Sequence, residues 1–470
     1  MRESLETQTD LPPALVLKKE RFILFCMRLI PVLLTLLFVF LMSNDSQAQT
    51  PQELAAIWDK QHITTLPPSQ VRHADLKKYL EKLKQAGISV SEVGRSFENR
   101  EIYQIEWGQG KTRIFMWSQM HGDEPTATGA LVDMFYFLQK NRNLKWVAEL
   151  ERSVTIRAVP MLNPDGAERF QRRNAQFIDI NRDARDLSTP EGQLLKSLRD
   201  AWQPEIGFNL HNQNSLTTVG KSREQATISL LAVSGNAESK FSEAGERNKR
   251  LCAVMISALV NFIKGHIARY EDDYNPRAFG DRMSEWGTAT ILIETGALRG
   301  TDEMFLTKMN FIAFLSAFHA LAVGSEKTAR AEDYDSLIFN DTGWLYSYIF
   351  RDANIIERPA GPPDPAAKPA PFKADVAVNA ERRRAGEEPV LSVQEFGDLD
   401  NFFGLEEFDV SKYYLVPIEG GVLRPGSPAG FLFYRIDRSQ NIDWTVKNLQ
   451  AKYPPDAIFD KGKWIKDLKR

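Results

Sequence analysis

Between Pro51 and Glu326 the chain alternates short runs of apolar, β-branched and aromatic residues with longer stretches whose apolar positions recur at helical spacing. The short runs predict strands over Ile102 to Trp107, Arg113 to Gln119, Val154 to Met161, Ile206 to Leu210, Ser229 to Val233 and Thr290 to Ile293. The longer stretches predict helices over His73 to Ala86, Ala127 to Lys140, Glu191 to Trp202, Glu243 to Gly265 and Met304 to Ala322. The last of these is rich in Phe and Ala and is expected to lie against a sheet. Strands alternating with helices in this way predict an α/β domain.

Beyond this region the pattern changes. Arg358 to Lys373 is rich in Pro and Ala, and the charged, poorly patterned stretch that follows through Glu388 reads as linker. From Pro389 onward, short apolar and aromatic segments such as Tyr413 to Ile418 and Gly430 to Ile436 alternate with Gly and Pro turns, predicting a small β-rich module. Its Gly420-Gly-Val-Leu-Arg-Pro-Gly-Ser-Pro-Ala-Gly430-Phe segment faintly resembles the small β-sandwich attached to some amidohydrolases, which implies a packing or binding role without catalytic residues. The expected organisation is a signal peptide over 1–48, a catalytic domain over 49–326, an extension and linker over 327–388 and the β-rich module over 389–470.

The N-terminal segment stands apart in composition. Lys18, Lys19, Arg21 and Arg28 precede an apolar run from Leu29 to Met42, and small or polar residues ending in Ser46-Gln47-Ala48 follow. Basic region, apolar core and small-residue site, in that order, describe a secretory signal. The run is shorter than the roughly 20 residues that span a bilayer, so cleavage near Ala48 is expected over retention as an anchor. The long polar stretch before Lys18 suggests a translation start at Met27. Such a chain is exported, to the periplasm or the extracellular space. Cys26 would leave with the signal, and Cys252 alone cannot form an intramolecular disulfide. With 26% charged residues and a net charge of −3 in 470 residues, nothing favours nucleic acid as a partner.

The chemistry concentrates at strand ends. The predicted strand before Met120 delivers His121-Gly-Asp-Glu124, an imidazole and a carboxylate three positions apart, at the carboxyl end where α/β sheets form their sites. The strand Ile206 to Leu210 ends in His211, and Ile291-Leu-Ile293 delivers Glu294. Catalytic zinc takes three protein ligands and keeps a fourth position open for water, which this set of groups suits. The strand from Val154 runs into the turn Asn163-Pro-Asp-Gly166, followed by Arg172-Arg173-Asn174 and Asp179-Ile-Asn181-Arg182. A guanidinium near a metal can clamp a carboxylate or steady an oxyanion.

In this order the five segments resemble the zinc carboxypeptidase family over roughly Gln61 to Val323. The resemblance implies a mixed central sheet flanked by helices and one Zn2+ on His121, Glu124 and His211. It further implies Glu294 as general base and acid, Arg172 (or adjacent Arg173) polarising the scissile carbonyl, and Asn181 with Arg182 holding the substrate's terminal carboxylate. The implied partner is a peptide with a free C-terminal carboxylate, or a peptide-like cell-wall fragment. The family's closing tyrosine has no counterpart in Pro276-Arg-Ala-Phe-Gly-Asp-Arg282, with Tyr270 and Tyr274 lying earlier and Ser284 a loose candidate for the specificity pocket. Rival readings are an aspartoacylase-like deacylase of N-acyl amino acids and a non-catalytic zinc-binding protein on the same fold. Asp123 is weighed between orienting a ligand imidazole and lying exposed in its loop. His62, His73, His266 and His319 lack a strand-end setting and read as surface or helix-packing residues.

Overall fold

The computed structural model describes residues 50–271, 273–358 and 370–468. The expected signal segment and the centre of the Pro/Ala-rich stretch lie outside these. Eight strands form the first sheet: β1 (Ser89–Arg95), β2 (Glu101–Gly108), β3 (Thr112–Ser118), β4 (Val154–Val159), β5 (Ile206–Asn212), β7 (Ile228–Ala232), β8 (Ile267–Arg269) and β9 (Ala289–Thr295). The two-residue strands β6 (Thr218–Val219) and β10 (Asn340–Asp341) pair with each other as a separate ribbon. The order across the large sheet is β1-β2-β4-β3-β5-β9-β7-β8. Its central strands β4, β3, β5 and β9 run parallel, whereas β1, β2 and β4 are joined antiparallel, as are β9 and β7. The sheet is therefore mixed, and the fold is α/β.

Period-2 alternation splits each central strand between two layers. Ile206, Phe208 and Leu210 of β5, Ile291 and Ile293 of β9, and Ile228, Leu230 and Ala232 of β7 enter one apolar core. Helices α1 (Pro51–Gln61), α2 (His73–Gln85), α3 (Thr126–Lys140), α4 (Lys145–Ser153), α7 (Glu243–Leu259) and α9 (Glu303–Val323) contribute to it. The opposite face carries Phe115 and Trp117 against α6 (Pro190–Trp202) and α8 (Phe279–Glu285), through Leu195, Phe279 and Met283. The short α5 (Pro164–Arg169) follows β4. Helix α9 is apolar on all sides because it is buried among α3, α4 and α7, while the predicted extension of the α7 helix to Gly265 stops at Leu259.

The second sheet begins earlier than the sequence pattern suggested. Strands β11 (Leu345–Ile355) and β12 (Phe372–Ala380) fall in the stretch read as extension and linker, yet both belong to it. They join β13 (Leu391–Gly397), β14 (Phe403–Asp409), β15 (Tyr413–Pro417), β16 (Phe431–Arg435), β17 (Ala457–Asp460) and β18 (Lys463–Lys466). A bulge between Phe350 and Ala353, with Asp352 at φ 56°, divides β11, whose first part pairs with β14 and whose end pairs with β15. Phe350, Phe408, Phe431, Phe433, Phe459 and Trp464 fill the core beneath.

Candidate active site

The loop after β3 turns on Gln119, at φ 52°, and presents His121 and Glu124. Gly122 packs so closely on the next loop that a Cβ there would stand 2.0 Å from the carbonyl carbon of Gly166. Asn163 joins the two loops: its Oδ1 accepts from Gly166 N at 2.9 Å and its Nδ2 donates to Met120 O at 3.1 Å. Buried Asp165 accepts from Ser96 Oγ, Glu98 N and the Arg100 guanidinium, pinning the β1–β2 turn to the same place. The Asn-Pro-Asp-Gly segment thus ties three loops together.

His121, Glu124 and His211 converge. Glu124 Oε1 lies 2.8 Å from His121 Nδ1 and its Oε2 lies 2.7 Å from His211 Nδ1, while the two Nδ1 atoms are 3.2 Å apart. Ligand atoms about 2.05 Å from a tetrahedral zinc stand roughly 3.3 Å from one another, so the nitrogen pair has the separation of two ligands of one ion. All three residues are buried, and one donor atom from each lies within 4.8 Å of the others. The donor set and its spacing fit a single metal ion.

The outer nitrogen of His121 is held as well. Its Nε2 lies 3.0 Å from Asp179 Oδ1, and Asp179 Oδ2 accepts from Arg172 Nε at 3.0 Å. Asp179, rather than Asp123, therefore orients the imidazole; Asp123 Oδ1 is buried without a hydrogen-bond partner among the described residues. Burial opposes the charge on His121, but Glu124 and Asp179 outweigh it and push its pKa up to about 9. Burial also opposes ionisation of Asp179, yet His121 and Arg172 hold it well below the usual carboxylate range.

Arg172 Nη1 reaches within 3.1 Å of His121 Nδ1 and 3.3 Å of Glu124 Oε1. Arg173 turns away and donates to Phe177 O. Glu294 is the direct register partner of His211 on the adjacent parallel strand. Burial, reinforced by the Glu124 carboxylate, raises its pKa well above the ordinary glutamate value. Asn181 Oδ1 accepts from Phe279 N at 2.9 Å, tying this segment to the start of α8. Asn181, Arg182 and Glu294 line one cleft of about 490 Å³.

Residues 76–193 match the zinc carboxypeptidase family. That segment is similar to the zinc carboxypeptidases. It contains His121, Glu124, Arg172, Asn181 and Arg182, and ends before His211 and Glu294, which strand register brings to the same place. Over 114 residues, 24% of this chain, the sequence is 31% identical to a probable carboxypeptidase 2 of Trichophyton verrucosum, covering 22% of that protein. Over 182 residues, 31% of this chain, it is 27% identical to carboxypeptidase D of Rattus norvegicus, covering 13% of that protein. The chain thus spans no more than 22% of the length of either relative. A metallo-carboxypeptidase from Burkholderia cenocepacia superposes with a TM-score of 0.43 at 17% identity, over 55% of this chain and 69% of that one.

The remaining candidates separate clearly around this site. Tyr270 lines the cleft, its hydroxyl pKa pushed up to about 12 by burial and then by Glu294 and Glu124. Tyr274 instead hydrogen-bonds Glu285 on the exposed surface. Ser284 Oγ accepts from Thr290 N and is not among the cleft's lining residues, whereas Gly280 and Asp281 of the same helix are. His62 stacks on Trp58, His73 Nε2 lies 2.8 Å from Glu101 O, His266 Nδ1 lies 2.8 Å from Gln225 O, and His319 packs edge-on to Trp146. Two residues passed over in the sequence had readable signals. Asp179 opens the Asp-Ile-Asn-Arg segment, and Asn209 stands two positions before His211, hence on the same face of β5.

Proposed function

We propose that this chain is an exported, zinc-dependent metallocarboxypeptidase that removes C-terminal residues from peptides or cell-wall peptide fragments. The observation that carries the reading is the pairing of His211 with Glu294 in one sheet row, beside the convergent His121 and Glu124 and at the edge of the cleft that holds Asn181 and Arg182. Metal ligands, a carboxyl suited to proton exchange and a carboxylate-binding pair then serve one bound peptide end.

On this reading His121, Glu124 and His211 hold one Zn2+, which when bound supplies an activated water and polarises the scissile carbonyl. Glu294 takes a proton from the attacking water and returns it to the leaving amine; its elevated pKa suits a group that must both accept and donate. Arg172 holds the carbonyl oxygen as negative charge develops, its guanidinium steadied by Asp179. Arg182 clamps the terminal carboxylate and Asn181 shares that role, positioned by its bond to Phe279 N. The basic, apolar and small-residue order of the N-terminal segment supports export with cleavage near Ala48.

Zinc content and turnover of the purified mature chain test this directly. Glu294→Gln is expected to keep about one zinc per chain and to lose roughly 100- to 10,000-fold in kcat. Arg182→Ala is expected to weaken peptides with a free C-terminal carboxylate far more than their amides. Near-normal turnover by Glu294→Gln would remove it from the base role, and equal effects of Arg182→Ala on both substrate types would replace the carboxypeptidase reading with an endopeptidase or deacylase.

A further inference from the structure

The cleft continues one sheet row below the proposed catalytic groups. His211 and Glu294 are register partners, and two residues earlier on the same strands Asn209 pairs with Leu292, which pairs in turn with Leu231 of β7. Side chains two positions apart share a face, so this second row forms the floor beneath the first. Leu231, Leu292 and Val233 form an apolar cluster with Tyr270 packed against it, and all four line the cleft. Asn209 is the polar exception among them. It is only 2% exposed, it lines the cleft, and its Oδ1 has no hydrogen-bond partner among the described residues.

An unpaired acceptor on an apolar floor is costly unless a ligand supplies the donor. The groups around it narrow the choice of ligand. Asp281 of α8, Asp341 of β10 and the exposed Glu271 and Asp273 line the same space, with Arg182 as the cationic residue among its walls. Asp281 is 8% exposed and accepts from Asn275 N at 3.2 Å, which fixes its carboxylate in the wall. With Arg182 committed to the terminal carboxylate, the walls keep an excess of negative charge.

From this arrangement we infer that the cleft selects peptides whose C-terminal residue carries a cationic side chain, lysine or arginine. The inference rests on the carboxypeptidase reading above and names its substrate class. The methylene stem lies along Leu231, Val233 and Leu292, and the ammonium or guanidinium donates to Asn209 Oδ1 while the wall carboxylates offset its charge. A leucine or phenylalanine would leave Asn209 desolvated and unpaired. A glutamate would meet like charge.

The test is a panel of matched N-blocked peptides ending in Lys, Arg, Leu, Phe or Glu, turned over by the zinc-loaded mature protein. Lysine and arginine are expected to exceed the others by roughly ten- to a hundredfold in kcat/KM, the range of one or two charge-assisted hydrogen bonds. Asn209→Leu and Asp281→Asn should each narrow the Lys-to-Leu ratio by roughly tenfold or more. If either variant fails to fold, Asp341→Asn and the wild-type panel still decide. Equal or better cleavage after Leu, Phe or Glu would overturn the inference while leaving the peptidase reading intact, and so would variants that fold and keep the ratio. Failure to cleave any free-carboxylate peptide would sink the peptidase reading, and the inference with it.

Discussion

His121 carries a partner on each ring nitrogen, Glu124 on Nδ1 and Asp179 on Nε2, and both are anionic. Against the opposing effect of burial, the two carboxylates push the imidazole's pKa up to about 9 when no metal is bound. A metal must displace the imidazolium proton, because only the neutral ring coordinates. Zinc uptake at pH 7 is therefore expected to release about one proton from His121, measurable as a buffer-dependent heat in titration calorimetry; no buffer dependence would contradict it. The sign for stability follows from the raised pKa: the contribution is full below the ordinary histidine value of 6.5 and is lost as pH rises through about 9. Asp179→Asn removes the charge that orients His121 and steadies Arg172. It should weaken zinc binding roughly 10- to 100-fold, read by competition with a chelator.

At the scale of elements, the β3 and β4 loops are built to touch. Gly122 and Gly166 permit backbone contact, and Asn163 bonds to both loops. A methyl at Gly122 would meet the backbone carbonyl carbon of Gly166 at 2.0 Å, so one loop must move. Gly122→Ala should therefore lose metal affinity and activity together. Circular dichroism should still show the sheet and helices, since the clash lies outside both cores. Retention of wild-type zinc affinity in Gly122→Ala would refute that account. Helix α8 has a comparable part on the other side of the cleft: its first amide is held by Asn181, and Gly280 and Asp281 face the cleft.

Across the molecule, the loop between β12 and β13 docks on the first domain. Arg384 is 9% exposed and donates to the carbonyls of Ser69, Ala167 and Glu168 at 2.6, 2.7 and 2.9 Å. Ser69 Oγ and Gln70 Nε2 complete the contact with Ala385. Arg384 thus tethers the second sheet to α5, directly behind the Asn163 loop. Arg384→Ala should lower stability by about 2–4 kcal/mol, since three carbonyls lose a charged donor. Its thermal unfolding should broaden or split as the two sheets uncouple. An unchanged, single transition would show that the contact contributes little.

The amino-acid order by itself determined the strand-end placement of His121, His211 and Glu294, because strands alternate with period 2 and parallel sheets gather their functional groups at carboxyl ends. It also made the Asn-Pro-Asp-Gly turn legible, since an Asn cap and a Pro in the first helical turn are local chemistry. Tertiary structure alone decided which carboxylate orients His121: Asp123 is two residues away, whereas Asp179 arrives from 58 residues along the chain. It likewise decided that β11 is a sheet strand, because its pairing with β14 and β15 draws on segments remote in sequence, and β12 is then held between β11 and β13. The floor beneath the proposed catalytic row follows the same logic. Asn209, Leu292 and Leu231 come together only through the register of three strands, a property of hydrogen-bonded pairing that no single segment carries.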